Sequence, residues 1–412
     1  METPTFGAMP MCNPRGGPCA GGAFELQDAA RESELVEVDG WQVQVTAGDR
    51  FGVARGGPQG NYEDALRASL LHCQKGLDLM SAQGGNNLVI KRSDDDHLVW
   101  WSDADGMTIR MVSLAPVAID VPPATLTVTD TAGHAVLPPA TKPLAWHESF
   151  RYFRLSQTTD DLFDAYRNAY LALESVLSSI APQQINAAGR VTEHEGDWFK
   201  RALMEADKVA PLISVVPSGT RDQVQYLFDE LFVNMRSAMS HAKSGRPVLL
   251  PQDESERRAI VDSLKRLVGL FLKLADAHLD LRRPGGGMFA VAFRMMFGPA
   301  LDQMKMYVSD DESPFDASDS VPNPAGGVMR ELTMAAPMES PRPFVVSKLW
   351  AARSADLTDL PFIRRAVAVH KSAPTMAAVL EGRLVLGSAR SLEVMLGIRG
   401  SNTRQPRERY SF

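Results

Sequence analysis

Cysteine is scarce in this chain: three residues in 412, Cys12, Cys19 and Cys73, with no Cys-x-x-Cys pair. That spacing indicates neither a disulfide framework nor a zinc site. Long apolar runs are missing too. None approaches the roughly 20 residues needed to span a bilayer, so no membrane partner is expected. An excess of positive charge is also absent, with 43 Lys and Arg against 50 Asp and Glu and a formal net charge of −7. Proteins that coat duplex DNA normally present a basic surface, so duplex DNA is not expected as a partner. The first 23 residues are rich in Gly and Pro and lack the continuous apolar core of a secretory signal. These absences point to a cytoplasmic protein with a flexible N-terminus over residues 1–34.

What is present is an ordinary globular composition, 44% apolar and 23% charged. A chain this long exceeds one core, so two or three domains are expected. Residues 35–150 alternate between short strand signals and one helix. Trp41-Gln42-Val43-Gln44-Val45 has the period of two expected of a half-buried strand. Asn61 is placed to cap a helix from Tyr62 to about Ser81, with Leu66, Leu70, Cys73, Leu77 and Met80 along one face. Leu88–Lys91, Leu98–Trp101, Thr108–Ser113 and Leu126–Val128 read as strands. Residues 156–284 read as four helices joined by short loops, the first capped by Thr158 or Thr159 and striped with Leu162, Tyr166, Tyr170, Leu173 and Leu177. Residues 285–412 hold an apolar run at Phe289–Phe297, helix or strand, and a long loop over 309–343 rich in Asp, Ser, Pro and Gly. Strand signals return at Phe344–Trp350, Ala366–His370 and Leu384–Leu386. The predicted fold class is α+β multidomain: a small N-terminal α+β domain, a central all-α four-helix bundle and a C-terminal strand-containing region.

One short constellation has an obvious chemical reading: Arg236-Ser237-Ala238-Met239-Ser240-His241, on the third helix of the middle region. Arginine can hold a phosphate through its fixed fork of donors, and histidine is the side chain best suited to move a proton near neutral pH. On a regular helix the two are about 140° apart around the axis, on the polar side. Two such helices facing each other across a dimer axis would gather two arginines and two histidines. That set suits metal-independent RNA cleavage, with His241 as general base or acid and Arg236 stabilising charge on the phosphate. Ser237 and Ser240 are candidate hydrogen-bond supports, Lys243 and Arg246 extend a phosphate site, and Glu174 is a candidate partner for Arg236 or Arg167. The plain alternative is that any amphipathic helix has a polar sector, and that Asp229 and Glu230 simply pair with Arg236.

The run Ala165-Tyr166-Arg167-Asn168-Ala169-Tyr170-Leu171-Ala172-Leu173-Glu174, then Glu195-Gly196-Asp197-Trp198, then Arg236–His241 with Ala242-Lys243, resembles the HEPN superfamily of small helical bundles. Within it, the order and spacing are similar to the bacterial MauJ-like (methylamine-utilisation-associated) proteins, whose biochemical role is not well defined. The resemblance covers about residues 156–284, and His97-Leu98-Val99-Trp100-Trp101 resembles the leading domain of such proteins. It implies a homodimer through the helical bundle, an Arg–His ribonuclease motif at Arg236 and His241, and a toxin or phage-defence setting. Ser237 departs from the Asn, Asp or His common after the arginine in active members. Many members are non-catalytic, so a protein- or nucleotide-binding module with a structural Arg–His pair stands beside the nuclease.

Other clusters carry less. Asp94-Asp95-Asp96-His97 sits between strand signals, where neighbouring side chains point to opposite faces and cannot converge on one ion. Glu193-His194-Glu195 has the same weakness, so no metal is expected. Gly285-Gly286-Gly287 lacks the lysine of a phosphate loop and reads as a helix stop, and no cofactor is expected. Trp100, Trp101 and Trp198 read as core residues rather than platforms for bases.

Overall fold

The computed structural model describes residues 3–12, 19–91, 93, 95–119, 144–159, 161–240, 249, 254–281, 288–313, 328–335, 344–371 and 373–402. The chain divides into two compact units, one built from residues 1–117 with 289–401 and one from 118–288.

The first unit is a single sheet of 14 strands. Its N-terminal strands are β1 (Thr5–Phe6), β2 (Met9–Pro10), β3 (Ala20–Glu25), β4 (Glu34–Val38), β5 (Trp41–Val45), β6 (Phe51–Gly56), β7 (Asp96–Asp103) and β8 (Gly106–Ile119). Its C-terminal strands are β9 (Lys305–Ser309), β10 (Met329–Met334), β11 (Val345–Arg353), β12 (Ile363–His370), β13 (Ala373–Val385) and β14 (Ser391–Asn402). The spatial order is β2-β1-β13-β12-β9-β10-β11-β14-β8-β7-β3-β6-β5-β4. The two ends of the chain therefore interleave: β1 pairs antiparallel with β13, and β14 lies beside β8. Across the latter boundary Arg110 Nε donates to Glu393 at 2.7 Å and the Thr108 and Ser391 hydroxyls meet at 3.0 Å.

The sheet closes over on itself. Phe6 on β1 and Phe51 on β6, near opposite ends of the strand order, bring their ring centroids within 4.4 Å. The space between the two halves is filled by Phe51, Trp100, Met306, Trp350 and their neighbours, all nearly inaccessible to water. Helix α1 (Tyr62–Ala82) covers part of the sheet; Asn61 caps it by accepting from the Asp64 backbone N–H at 2.9 Å. It approaches so closely that a Cβ on Gly76 would lie 2.5 Å from the Val43 side chain. A disulfide joins Cys12 and Cys19, a pairing the sequence spacing did not indicate, while Cys73 is free and buried.

The second unit contains helices α2 (Ser149–Thr158), α3 (Leu162–Ile180), α4 (Glu195–Val209), α5 (Gln223–Leu227), α6 (Ser237–Ser240) and α7 (Glu254–Leu279). Between α5 and α6 the backbone runs as a π-helix over Phe228–Arg236. The core gathers the α3 stripe with Phe199, Leu203, Leu264 and Phe271. The cap of α3 is Asp161, accepting from the Asp164 N–H at 2.8 Å, rather than Thr158 or Thr159.

These observations correct the expected fold class. The small N-terminal α+β domain and the C-terminal strand region are not separate, because their strands alternate in one sheet. No all-α four-helix bundle is evident: the third helix is broken into α, π and α stretches, and α2 precedes the expected first helix. Phe289–Phe297 falls in a helix, α8 (Ala290–Asp302), and the expected loop 309–343 contains β10. Leu88–Lys91 contributes only a single bridge from Ile90 to Leu26. Leu126–Val128 lies outside the described residues. No described helix is long and apolar enough to cross a membrane.

Ionic groups are sunk into this sheet as well as apolar ones. Arg365, 1% exposed, places Nη1 3.2 Å from Oδ2 of Asp311, itself 6% exposed. Burial alone would push the Asp311 carboxyl up, but hydrogen bonds from the Ser313 hydroxyl and backbone, with the Arg365 charge, hold it below the usual carboxylate range. Removing one member of such a pair strands the other in a medium that solvates it poorly. Asp311→Ala is therefore expected to lose about 3–5 kcal/mol in chemical denaturation. Lys208→Ala, which breaks an exposed pair with Glu205, should change stability by at most about 0.5 kcal/mol.

Candidate functional site

The motif arginine ends the π-helical stretch. There each backbone N–H reaches the carbonyl five residues back, so the regular-helix angle assumed from sequence does not apply to Arg236. Its guanidinium, one-third exposed, places Nη2 2.5 Å from Oε1 of Glu195, the first residue of α4. The same guanidinium lies over two aromatic rings, 4.9 Å from the centroid of Phe232 and 5.8 Å from that of Tyr170. Both contacts favour a cation. Asp229 and Glu230 are engaged elsewhere, with Gln225 and Arg266, so neither is the partner of Arg236.

Arg236 and Glu195 stand at a cleft of about 360 Å³ whose wall is α3. Tyr170 and Glu174, one helical turn apart on that helix, face it. The Tyr170 hydroxyl is buried and makes no hydrogen bond among the described residues. Burial pushes its pKa far up, and the neighbouring Glu174 carboxyl adds to the rise. Glu174 is half-buried. Its pKa is also raised, by burial first and then by the charge of Glu195, with Arg236 opposing. Arg167 and Asp164 lie at the exposed rim.

A second cleft, about 640 Å³, shares Leu171, Glu174 and Glu195 with the first and adds Glu148, Glu193 and His194. None of its described lining residues is a lysine or arginine. Glu193 is held by Arg201 through two contacts of 2.7 Å, which keep its carboxyl below the ordinary range. Glu148 accepts a hydrogen bond from Ser175.

The residues expected to form a nuclease centre are only partly brought together. Arg236 and Glu174 share one cleft but make no ion pair; Glu195 takes the place foreseen for Glu174. Ser237 turns its hydroxyl back to the Phe232 carbonyl, at 3.5 Å, as the first residue of α6. His241, Lys243 and Arg246, with Gly285–Gly287, lie outside the described residues, as does the side chain of Ser240. In the sequence Glu195 appeared only within the Glu193-His194-Glu195 loop cluster and the Glu195-Gly196-Asp197-Trp198 run, neither of which says anything about a partner 41 residues later in the chain.

The other clusters resolve into separate roles. Asp95 is buried beside Arg399, 2.8 Å away, and Asp96 accepts from the Ser113 hydroxyl. Both ring nitrogens of His97 are engaged, one with the Tyr62 hydroxyl at 2.7 Å and one with the Ser93 carbonyl at 2.9 Å. No group of three metal-ligating side chains converges among the described residues. Trp100, Trp101 and Trp198 are buried, and Trp198 donates to the Ala181 carbonyl. No family model matches this chain, and neither does a curated protein or a solved structure. The HEPN resemblance rests on the motif residues alone.

Glu174 ionises more readily in the unfolded chain than in the folded one. Its contribution to stability is thus full below the ordinary value of 4.5 and is lost as pH rises through the higher folded value. Glu174→Gln removes that loss. Its melting temperature is expected to rise relative to the parent protein between about pH 4 and about pH 8. A difference that stays flat across that range would contradict the assignment.

Proposed function

We propose that the helical unit is a non-catalytic binding module, and that its ligand enters the cleft formed by Tyr170, Glu174, Glu195 and Arg236. The carrying observation is the state of Arg236: its guanidinium already has a carboxylate at 2.5 Å and lies over two aromatic rings. A phosphate arriving there must displace Glu195 and approach Glu174 as well. An RNA backbone carries a charge at every step, and among the described residues lining the cleft three are acids against two arginines. In this reading Arg236 ties the start of α4 to the end of the π-helical stretch, and the cleft beside it does the recognising.

One observation favours the second reading, cytoplasmic RNA cleavage by a homodimer with His241 as acid or base. Arg236 remains one-third exposed at the cleft mouth, and an ion pair in that setting is worth only about 0–1 kcal/mol, little enough for a phosphate to compete. The two readings separate cleanly in one assay. Full-length protein incubated with single-stranded RNA in EDTA is expected to leave the RNA intact. Cleavage that disappears in His241→Ala, at unchanged melting temperature, would overturn the binding-module reading. Arg236→Ala is expected to lower the helical unit's stability by about 1 kcal/mol, a shift of about 2–4 °C in its melting transition. No shift at all would remove the structural role from the arginine.

A further inference from the structure

Helix α8 has two apolar faces, and the sheet unit buries only one of them. Phe293, Phe297 and Leu301 recur every four residues along the inner face. Phe293 and Leu301 are fully buried, and the Phe293 ring centroid lies 4.7 Å from that of Phe297 and 5.8 Å from that of Phe344. On the opposite side Ala292, Met295, Met296 and Pro299 follow the i, i+3, i+4, i+7 spacing of a helix face suited to burial. All four are exposed, Met295 by 74% and Met296 by 58%. Phe289 and Val291 flank them, exposed by 86% and 68%. Together these side chains present roughly 500 Å² of apolar surface, and patches of that size commonly mark a contact surface.

We propose that this face is the contact between two copies of the chain, their α8 helices packed antiparallel across a two-fold axis. The stripe Ala292, Met295, Met296, Pro299 runs small, large, large, small. That order is the same in both directions, as an isologous interface requires of a single patch. With the axis between Met295 and Met296, position 292 of one copy meets position 299 of the other, and 295 meets 296. The small ends let the two backbones approach, and the flexible methionines fill the space between them. Two such faces pressed together bury roughly 1,000 Å², the lower bound for a specific interface. A lipid surface fits less well. Helices that lie on membranes are rich in lysine and arginine, whereas α8 has one arginine and no lysine, in a chain of net charge −7.

This dimer is independent of what the helical unit binds, since α8 belongs to the sheet unit. Its test is sedimentation equilibrium of the full-length protein across about 1–100 μM, where an interface of this size is expected to give a reversible monomer–dimer equilibrium. Met296→Glu sets like charges close together at the axis and should weaken the dimer about a hundredfold or more. Adding Met295→Lys to Met296→Glu places opposite charges at the facing positions and should recover much of that loss. Both methionines are exposed, so thermal melts of these variants are expected to match the parent protein. Ile213→Glu, an exposed site on the helical unit, should leave the dimer unchanged. A chain that stays monomeric throughout, or a dimer indifferent to Met296→Glu, overturns the inference. A dimer that Ile213→Glu disrupts instead lies in the helical unit and overturns it as well. Loss without recovery in the double variant contradicts the antiparallel pairing. A monomer that binds phosphatidylserine vesicles, and loses them with Met296→Glu, would assign the face to lipid.

Discussion

The guanidinium of Arg236 resting on the Glu195 carboxylate is the contact from which the rest of the site takes its character. It joins the N-terminal residue of α4 to the last residue of the π-helical stretch, across 41 positions of sequence. It also commits the Arg236 cation to an internal partner. With that charge committed, the polar group of α3 left facing the cleft is the Glu174 carboxyl, which attracts donors rather than phosphates. The same arginine read from sequence alone pointed the other way, because an arginine on a polar helix face advertises its charge and conceals its partner.

The helical unit combines a well-satisfied core with a poorly satisfied edge. Phe199, Leu264, Leu267 and Phe271 pack without exposure, and Trp198 finds the Ala181 carbonyl for its indole N–H. Against that, Tyr170 keeps a buried hydroxyl unpaired among the described residues, and Glu174 keeps a carboxyl in surroundings that disfavour its charge. The backbone beside them departs from regular helix. These local exceptions collect around one cavity in an otherwise consistent core, which is the ground for the proposed binding role.

Much of the local structure was legible in the residues. Asn61 with the apolar face from Leu66 to Met80 announced α1, the alternation of Trp41 to Val45 announced β5, and the Leu162–Leu177 stripe announced α3. Each of these signals lies within a few residues of chain. What failed is non-local. Nothing near Thr5 says that it will pair with Val385, and nothing near Thr108 says that Ser391 will lie beside it. Two strand-bearing regions separated by a helical insertion therefore read as two domains, although their strands alternate in one sheet. At the site, Glu174 and Arg236 were visible as residues of interest, while Tyr170 read only as part of the apolar stripe of α3. Their arrangement depended on a π-helical stretch that shifts Arg236 away from its regular-helix angle, and on Glu195, whose partnership has no sequence signature.

The central claim is that Arg236 and Glu195 form a working pair. A double-mutant cycle in urea on the full-length protein, with Arg236→Ala, Glu195→Ala and the combination, measures that pairing apart from the separate contribution of each residue. A coupling of about 1 kcal/mol is expected, the upper end for a partly exposed pair backed by aromatic faces. Single-mutant effects that add to within about 0.3 kcal/mol would show two independent side chains, and the cleft would then hold a free arginine ready for a phosphate.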